Sequence, residues 1–186
     1  MSDGFRVRGV NHLALVCRDM AATMAFYEGV LGMPLIKTIE LGGGEQGSGG
    51  GQHFFFDCGN GDSIAFFWFA DSPPAAPGVA SPAAMPGEGD FRTAHGSMNH
   101  VAFDVDPDDI DGYVQRLRDA GVACTEVMNH DDSVWGVASR PDGPDSTVFV
   151  RSIYFMDPDG IQLEFAAWTR SLGPDDVSHT PAQASD

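Results

Sequence analysis

The dipeptide Asn-His occurs twice in this chain, and each time it opens a stretch of alternating apolar residues. The first stretch reads NHLALVC from residue 11, and the second reads NHVAFDV from residue 99. Successive side chains of a strand point to opposite faces, so His12 and His100 should lie opposite the apolar side chains that form the core. Imidazole binds Fe, Mn, Co, Ni and Zn, and two histidines at matching positions therefore indicate a metal site.

A carboxylate with the same orientation follows near the end of the chain. In IQLEFAA, every second residue from position 161 is apolar, and Glu164 lies on the opposite side. A curved sheet with its helices outside would bring His12, His100 and Glu164 into one concavity. Two imidazoles and one carboxylate form the facial set that binds Fe(II) or a similar ion and leaves positions open for substrate or oxygen.

The elements that must position these residues form two units with the same order. Each unit reads strand, helix and three strands, and each helix ends at a glycine, Gly32 or Gly121, the usual left-handed stop. The sequence predicts an α+β fold in which two βαβββ modules form a cupped mixed sheet with helices on the outside. The predicted divisions are a first module at 1–70, an irregular linker at 71–95, a second module at 96–169 and a flexible tail at 170–186.

The predicted element bounds follow from apolar periodicity and from glycine and proline positions. In the first module the predicted strands are 7–17, 35–41, 53–58 and 63–69, with a helix at 20–31. In the second module the predicted strands are 98–105, 123–128, 148–155 and 161–167, with a helix at 107–120. A glycine-rich loop at 42–51 and an insertion at 129–147 interrupt the two modules.

Composition excludes several classes of partner. The chain carries 27 acidic and 10 basic residues, for a net charge of −17. That charge repels phosphate backbones and anionic membrane surfaces, so we expect binding to neither nucleic acid nor membranes. No stretch is long enough to span a membrane, and the N-terminus lacks the apolar part of a signal peptide, so a cytoplasmic location is expected. The three cysteines are odd in number and widely spaced, which favours reduced thiols.

The motifs NHLAL, FYEGVLGM, NHVAFDV and YFMDPDGIQLEF resemble those of the vicinal oxygen chelate superfamily, over about residues 7–169. This superfamily includes glyoxalase I, extradiol dioxygenases, methylmalonyl-CoA epimerase, and fosfomycin- and bleomycin-resistance proteins. The resemblance implies paired modules around a divalent metal ion, with His12 and His100 as ligands from the first strands and Glu164 from the last. We expect Fe(II), with Mn, Zn, Ni and Co as alternatives.

Two features favour a dioxygenase within that superfamily. Aligning the modules places Phe66 at the position of Glu164, so the first module lacks the fourth ligand that a glyoxalase I or epimerase site would use. Tyr154 resembles a tyrosine that helps to bind the substrate hydroxyl in extradiol dioxygenases, which makes it the expected catalytic residue. The side chains expected to bind an aromatic substrate are His53, Phe55, Phe66 and Trp68.

The predicted function is therefore metal-dependent oxygenation of a catechol-like small molecule. Two alternatives remain, namely isomerisation of the glyoxalase I (lactoylglutathione lyase) or epimerase type, and non-enzymatic drug binding as in bleomycin resistance. Extradiol enzymes usually carry an acid–base histidine where this chain has Asp145, which leaves His53, His95 and His130 as candidates. Modules of this superfamily pair within a chain or between chains, so a homodimer is one option for assembly.

Overall fold

A computed structural model of the protein describes residues 9–41, 50–74, 82–132, 147–177 and 179–182. The first module contains β1 (His12–Val16), α1 (Met20–Met24), a π-helical continuation (Ala25–Val30), β2 (Leu35–Leu41), β3 (Gly51–Gly59) and β4 (Asp62–Phe69). The second module contains β5 (Val101–Asp104), α2 (Ile110–Asp119), β6 (Met128–His130), β7 (Val150–Met156) and β8 (Gln162–Trp168). A short 3₁₀ helix follows at Pro174–Asp176.

Both modules build a four-stranded sheet with the same topology. The strand orders are β1-β4-β3-β2 and β5-β8-β7-β6. In each sheet the first strand runs parallel to the last, and the other neighbours are antiparallel. The predicted pair of βαβββ modules is confirmed. β1 and β5 are edge strands, and their outer edges have no strand partner in the described part of the chain.

One hydrophobic core joins the two modules through the first helix. The Tyr27 ring is fully buried and lies 4.7 Å from Phe66 and 5.7 Å from Phe56, both in the first sheet. Phe26 lies 6.5 Å from Phe155 in the second sheet, and the Tyr27 hydroxyl donates to Asp157 at 3.2 Å. The first helix therefore lies between the two sheets and packs against both.

The two histidines lie on the sheet faces that point away from this core. Paired residues share a face and neighbours along a strand alternate, so the His12 face of the first sheet is opposite to Phe66. By the same argument the His100 face of the second sheet is opposite to Phe155, which pairs with Leu163. Because Phe66 and Phe155 contact the first helix, a single chain does not close a cup over both histidines.

Two predicted elements differ from the observed ones. The predicted helix at 20–31 widens into a π-helix, in which the Leu31 N–H donates to the Phe26 carbonyl. The predicted strand at 123–128 is displaced, since β6 begins at Met128 and Cys124 forms an isolated bridge to Phe155. Beside that bridge the Thr125 N–H donates to the Tyr154 carbonyl, but it is the Thr125 hydroxyl that accepts the Tyr154 N–H, both at 3.0 Å, so a side chain supplies a contact that a ladder would make with the backbone.

Other predictions of local structure are confirmed. Gly32 and Gly121 have φ values of +73° and +80°, the left-handed conformation that glycine adopts at helix ends. All three cysteines are free thiols. Within the described ranges, no helix has both the length and the apolar character needed to cross a membrane. Most of the glycine-rich loop and of the insertion, at 42–49 and 133–146, lies outside the described residues.

Candidate metal centre

The second module brings two of the three predicted ligands together. Glu164 in β8 is the register partner of Ala102 in β5, and the small alanine leaves room beside its carboxylate. His100, which directly precedes β5, places Nε2 2.8 Å from Oε2 of Glu164. The Glu164 side chain is 7% exposed, whereas the His100 side chain is 34% exposed. The carboxylate thus lies at the bottom of the site and the imidazole at its solvent side.

Both ring nitrogens of His100 face oxygen atoms that accept hydrogen bonds. Nδ1 lies 2.7 Å from Oδ1 of Asn99, and Asn99 is fixed in that orientation because its Nδ2 donates to the Phe91 carbonyl at 3.0 Å. Both oxygen atoms only accept, and a neutral imidazole carries one N–H, so it can satisfy just one of them. A divalent ion bound by Nε2 and Glu164 would leave that N–H for Asn99, and the donor set therefore fits a metal ion.

The electrostatics keep Glu164 ready to bind a cation. Burial favours its neutral form, but the hydrogen bond and charge of His100, together with weaker contacts, outweigh that effect and lower the pKa of Glu164. The carboxylate is therefore ionised at neutral pH. On the same strand face, the buried amide oxygen of Gln162 has no hydrogen-bond partner among the described residues, which adds an unused acceptor to this surface.

His12 repeats the arrangement of His100 but lies apart from it. Its Nδ1 is 2.8 Å from Oδ1 of Asn11, the ring is exposed, and its edge contacts Phe55 with 5.6 Å between centroids. Across the described ranges, no group of three or more His, Cys, Asp or Glu side chains could hold one metal ion. One chain therefore unites His100 with Glu164 and leaves His12 on the outer face of the other sheet.

Tyr154, the predicted catalytic residue, lies beside the carboxylate. It is the register partner of Glu164, and its ring meets the His100 ring edge-on at 5.9 Å. Burial, followed by the negative charge of Glu164, raises the pKa of Tyr154. The hydroxyl lies 3.2 Å from Nε2 of His130. Of the three candidate acid–base histidines, His130 is the one at this hydroxyl, while His95 is exposed in the linker.

Aromatic rings cover the outer face of the first sheet. His53 stacks on Phe67 with 3.6 Å between centroids and 2° between planes, and Phe67 stacks on Phe69 at 5.4 Å. Phe55 contacts His53 at 4.3 Å and also His12. His53 and Phe55 therefore share the His12 face, and sequence reasoning missed Phe67 and Phe69. The pairing of His53 with Phe67 across the β3–β4 hairpin was the signal that would have identified them.

Two residues predicted to bind substrate belong to the core side instead. Phe66 is fully buried against Tyr27. Trp68 packs against the same core, and its Nε1 donates to the Arg18 carbonyl at 3.1 Å. The structure thus corrects the prediction that Phe66 and Trp68 line the cup, because β4 turns both towards the first helix.

The strand register also corrects the alignment of the two modules. Ala14 pairs with Ala65 in the first sheet, as Ala102 pairs with Glu164 in the second. Ala65, rather than Phe66, is therefore the counterpart of Glu164. The inference drawn from the alignment is unchanged, since neither alanine nor phenylalanine is a metal ligand.

Comparisons with known proteins identify the fold and the family. The model of the Glyoxalase/Bleomycin resistance protein/Dioxygenase superfamily matches residues 9–165. The crystal structure of SMU.1112c is similar to this chain, with 24% identity, a TM-score of 0.56, and coverage of 87% of this chain and 99% of the other. FosX, a fosfomycin resistance protein from Listeria monocytogenes, shares 21% identity with a TM-score of 0.52, covering 88% and 96%. A glyoxalase/dioxygenase from Nostoc punctiforme shares 23% with a TM-score of 0.54, covering 88% and 92%.

The similarity to these solved structures shows the fold. The family model spans most of the chain and shows which family the chain belongs to. The chain belongs to the Glyoxalase/Bleomycin resistance protein/Dioxygenase superfamily.

Proposed function

We propose that this protein is a metal-dependent dioxygenase that opens the ring of a catechol-like aromatic substrate. The observation that carries the metal is that both ring nitrogens of His100 face acceptor oxygens, at 2.8 Å from Glu164 and 2.7 Å from Asn99. His100 and Glu164 would hold the ion together with His12. Fe(II) is the proposed metal, and Mn, Zn, Ni and Co also suit this ligand set.

The third ligand comes from a second copy of the chain. His12 and the His100–Glu164 pair lie on outer faces that point away from one shared core, so each needs a partner surface. Exposed apolar side chains lie on those same faces, with Val16 at 51%, Ile39 at 37% and Trp168 at 49% exposure. In the proposed dimer these side chains would be covered by the second copy. In a two-fold dimer each face would meet its complement, giving two equivalent sites.

The surrounding side chains suit an aromatic substrate. When bound, a divalent metal ion supplies Lewis-acid chemistry that orients two neighbouring oxygens and stabilises developing charge. The Tyr154 hydroxyl, held by His130 at 3.2 Å, would hydrogen-bond a substrate hydroxyl. Phe55 and Phe67 would stack on the ring, since offset or edge contacts between aromatics are favourable. Both atoms of O₂ enter the product as the ring C–C bond breaks, so the reaction needs no additional reductant.

Oxygen consumption tests the reaction. The metal-free protein is loaded with Fe(II) without air, and O₂ uptake is measured with a panel of catechols. We expect one O₂ consumed per catechol, and no uptake without Fe(II). Turnover of a hemithioacetal with no O₂ uptake on any catechol would replace this proposal with isomerisation. Absence of stoichiometric metal binding would replace it with drug binding.

Co-expression of two inactive variants tests the shared site. In His12→Ala and in Glu164→Ala homodimers every site lacks a ligand, so neither should bind the metal. A mixed dimer keeps one complete site, and random pairing should restore about a quarter of wild-type metal content and activity. A centre formed within one chain would show no restoration, and that result would exclude the shared site.

A further inference from the structure

We infer that Asn11 and Asn99 are positioning residues, which fix His12 and His100 in the tautomer that presents Nε2 to the metal ion. The inference rests on the proposed function, because it concerns the same metal centre. Each asparagine directly precedes its histidine, and the distances between Oδ1 and Nδ1 are 2.8 Å for Asn11 and 2.7 Å for Asn99. The same contact thus occurs independently in two modules.

The contact matters because a neutral imidazole has two tautomers, and only one leaves Nε2 free as a donor atom to metal. An amide oxygen at Nδ1 stabilises the Nδ1–H tautomer and holds the ring plane. Neighbouring side chains in a regular strand point to opposite faces, so Asn11 and His12 would not meet inside a strand. Asn11 and Asn99 stand just before β1 and β5, where the backbone is not yet constrained by that alternation.

The two asparagines differ in how firmly they are held. The Asn99 amide is fixed at both ends, because its Nδ2 donates to the carbonyl of Phe91 in the linker. Through this chain of two hydrogen bonds, Phe91 in the linker orients the proposed ligand His100. Among the described residues, the Asn11 side chain bonds to His12 alone. We therefore expect replacement of Asn99 to affect the metal centre more strongly than replacement of Asn11.

Two replacements of Asn99 separate positioning from folding. Asn99→Leu removes the acceptor at a similar volume, whereas Asn99→Asp keeps an oxygen that accepts the Nδ1–H. Mn(II) binding is measured by calorimetry on the metal-free proteins. Asn99→Leu should weaken Mn(II) binding by about 10–100-fold, as loss of residues that orient metal ligands typically does. Asn99→Asp should restore binding to near the wild-type value. Gln115→Leu, which removes an exposed amide on α2, serves as the control.

A second readout does not depend on the metal. Nitrogen NMR of the histidine rings, recorded on metal-free protein at a pH where both are neutral, reports which nitrogen carries the proton. In the metal-free protein Glu164 competes for the proton of His100, so His12 gives the clear readout. We expect Nδ1–H for His12 in the wild type, and loss of that preference in Asn11→Leu. An unchanged His12 tautomer in Asn11→Leu, together with unchanged Mn(II) affinity in Asn99→Leu, would overturn the inference. A wild-type protein that binds no Mn(II) but shows Nδ1–H at His12 would instead contradict the proposed function.

Discussion

The two modules share one topology but present different chemistry on their outer faces. The first module shows stacked rings, among them His53 and Phe67, and has Ala65 where the second module has Glu164. The second module surrounds Glu164 with polar groups such as Tyr154. Both retain the Asn-His pair at the first strand. In the proposed centre, the second module would supply most of the metal site, and the first would supply one ligand and a surface for substrate.

Removal of the carboxylate that distinguishes the second module should have the largest effect. Glu164→Ala deletes a proposed ligand, so the loss of metal affinity should exceed the roughly 10–100-fold typical of supporting residues. Glu126→Ala, an exposed glutamate paired with Arg118, should retain the metal. Metal content and Mn(II) titration measure both variants. Equal metal content in the two variants would show that Glu164 is not a metal ligand, and the two modules would then not differ in this way.

The two modules should also differ in how their stability depends on pH, because the hairpin before the last strand of the second module carries the buried Asp157. Burial raises the pKa of Asp157 to about 6, above the roughly 3.9 of a free aspartate. Folding therefore favours the protonated form. The stabilisation from protonated Asp157 is fully present below about pH 4 and is lost as the pH rises through about 6. The free energy of unfolding should fall by about 3 kcal/mol over this range.

Two asparagine variants test this assignment. Asp157→Asn should remove that part of the pH dependence. Asp57→Asn, in the hairpin of the first module, should retain it. Urea unfolding of both variants and the wild type across this range of pH measures the slopes. Equal slopes in Asp157→Asn and wild type would mean that Asp157 titrates as a free carboxyl.

The smallest expected effect concerns the rings of the first module. Phe67→Leu removes an aromatic contact worth about 0.5–1.5 kcal/mol, so KM for an aromatic substrate should rise roughly 2- to 12-fold. Phe54→Leu alters a half-buried phenylalanine on the core side of β3, and should lower the unfolding temperature with KM unchanged. Steady-state kinetics and thermal unfolding distinguish the two. A rise in KM in both variants would show that the outer face has no special role in binding.

The sheet faces of some side chains could be predicted from sequence, because these residues alternate with apolar residues along their strands. His12, His100 and Glu164 each stand opposite a clear apolar set, and their faces agree with the structure. Phe66 was misplaced because AFFWF is aromatic or apolar throughout, and an unbroken apolar run carries no period. The register of β4 with β3 determines which side chains of β4 face outward, and Ala65 rather than Phe66 is one of them.

The relative placement of the modules was not predictable in the same way. Local periodicity assigns His12 to a face but does not say which faces of the two sheets pack together. Contacts of Phe26 and Tyr27 with both sheets decide that, and they depend on residues more than a hundred positions away, such as Asp157. The strand β6 was misplaced for a related reason, since the Thr125 hydroxyl bonds to a distant backbone N–H.

Within the part of the chain that the structure describes, β1 and β5 each have one edge without a strand partner, and this has a consequence for how the protein behaves when dilute. Unpaired backbone groups along an edge strand are a template for pairing with any other extended segment. If a second copy covers these edges, its dissociation exposes both of them together with Val16 and Trp168. The melting temperature should then fall with chain concentration, and the separated chains would be the species that forms aggregates.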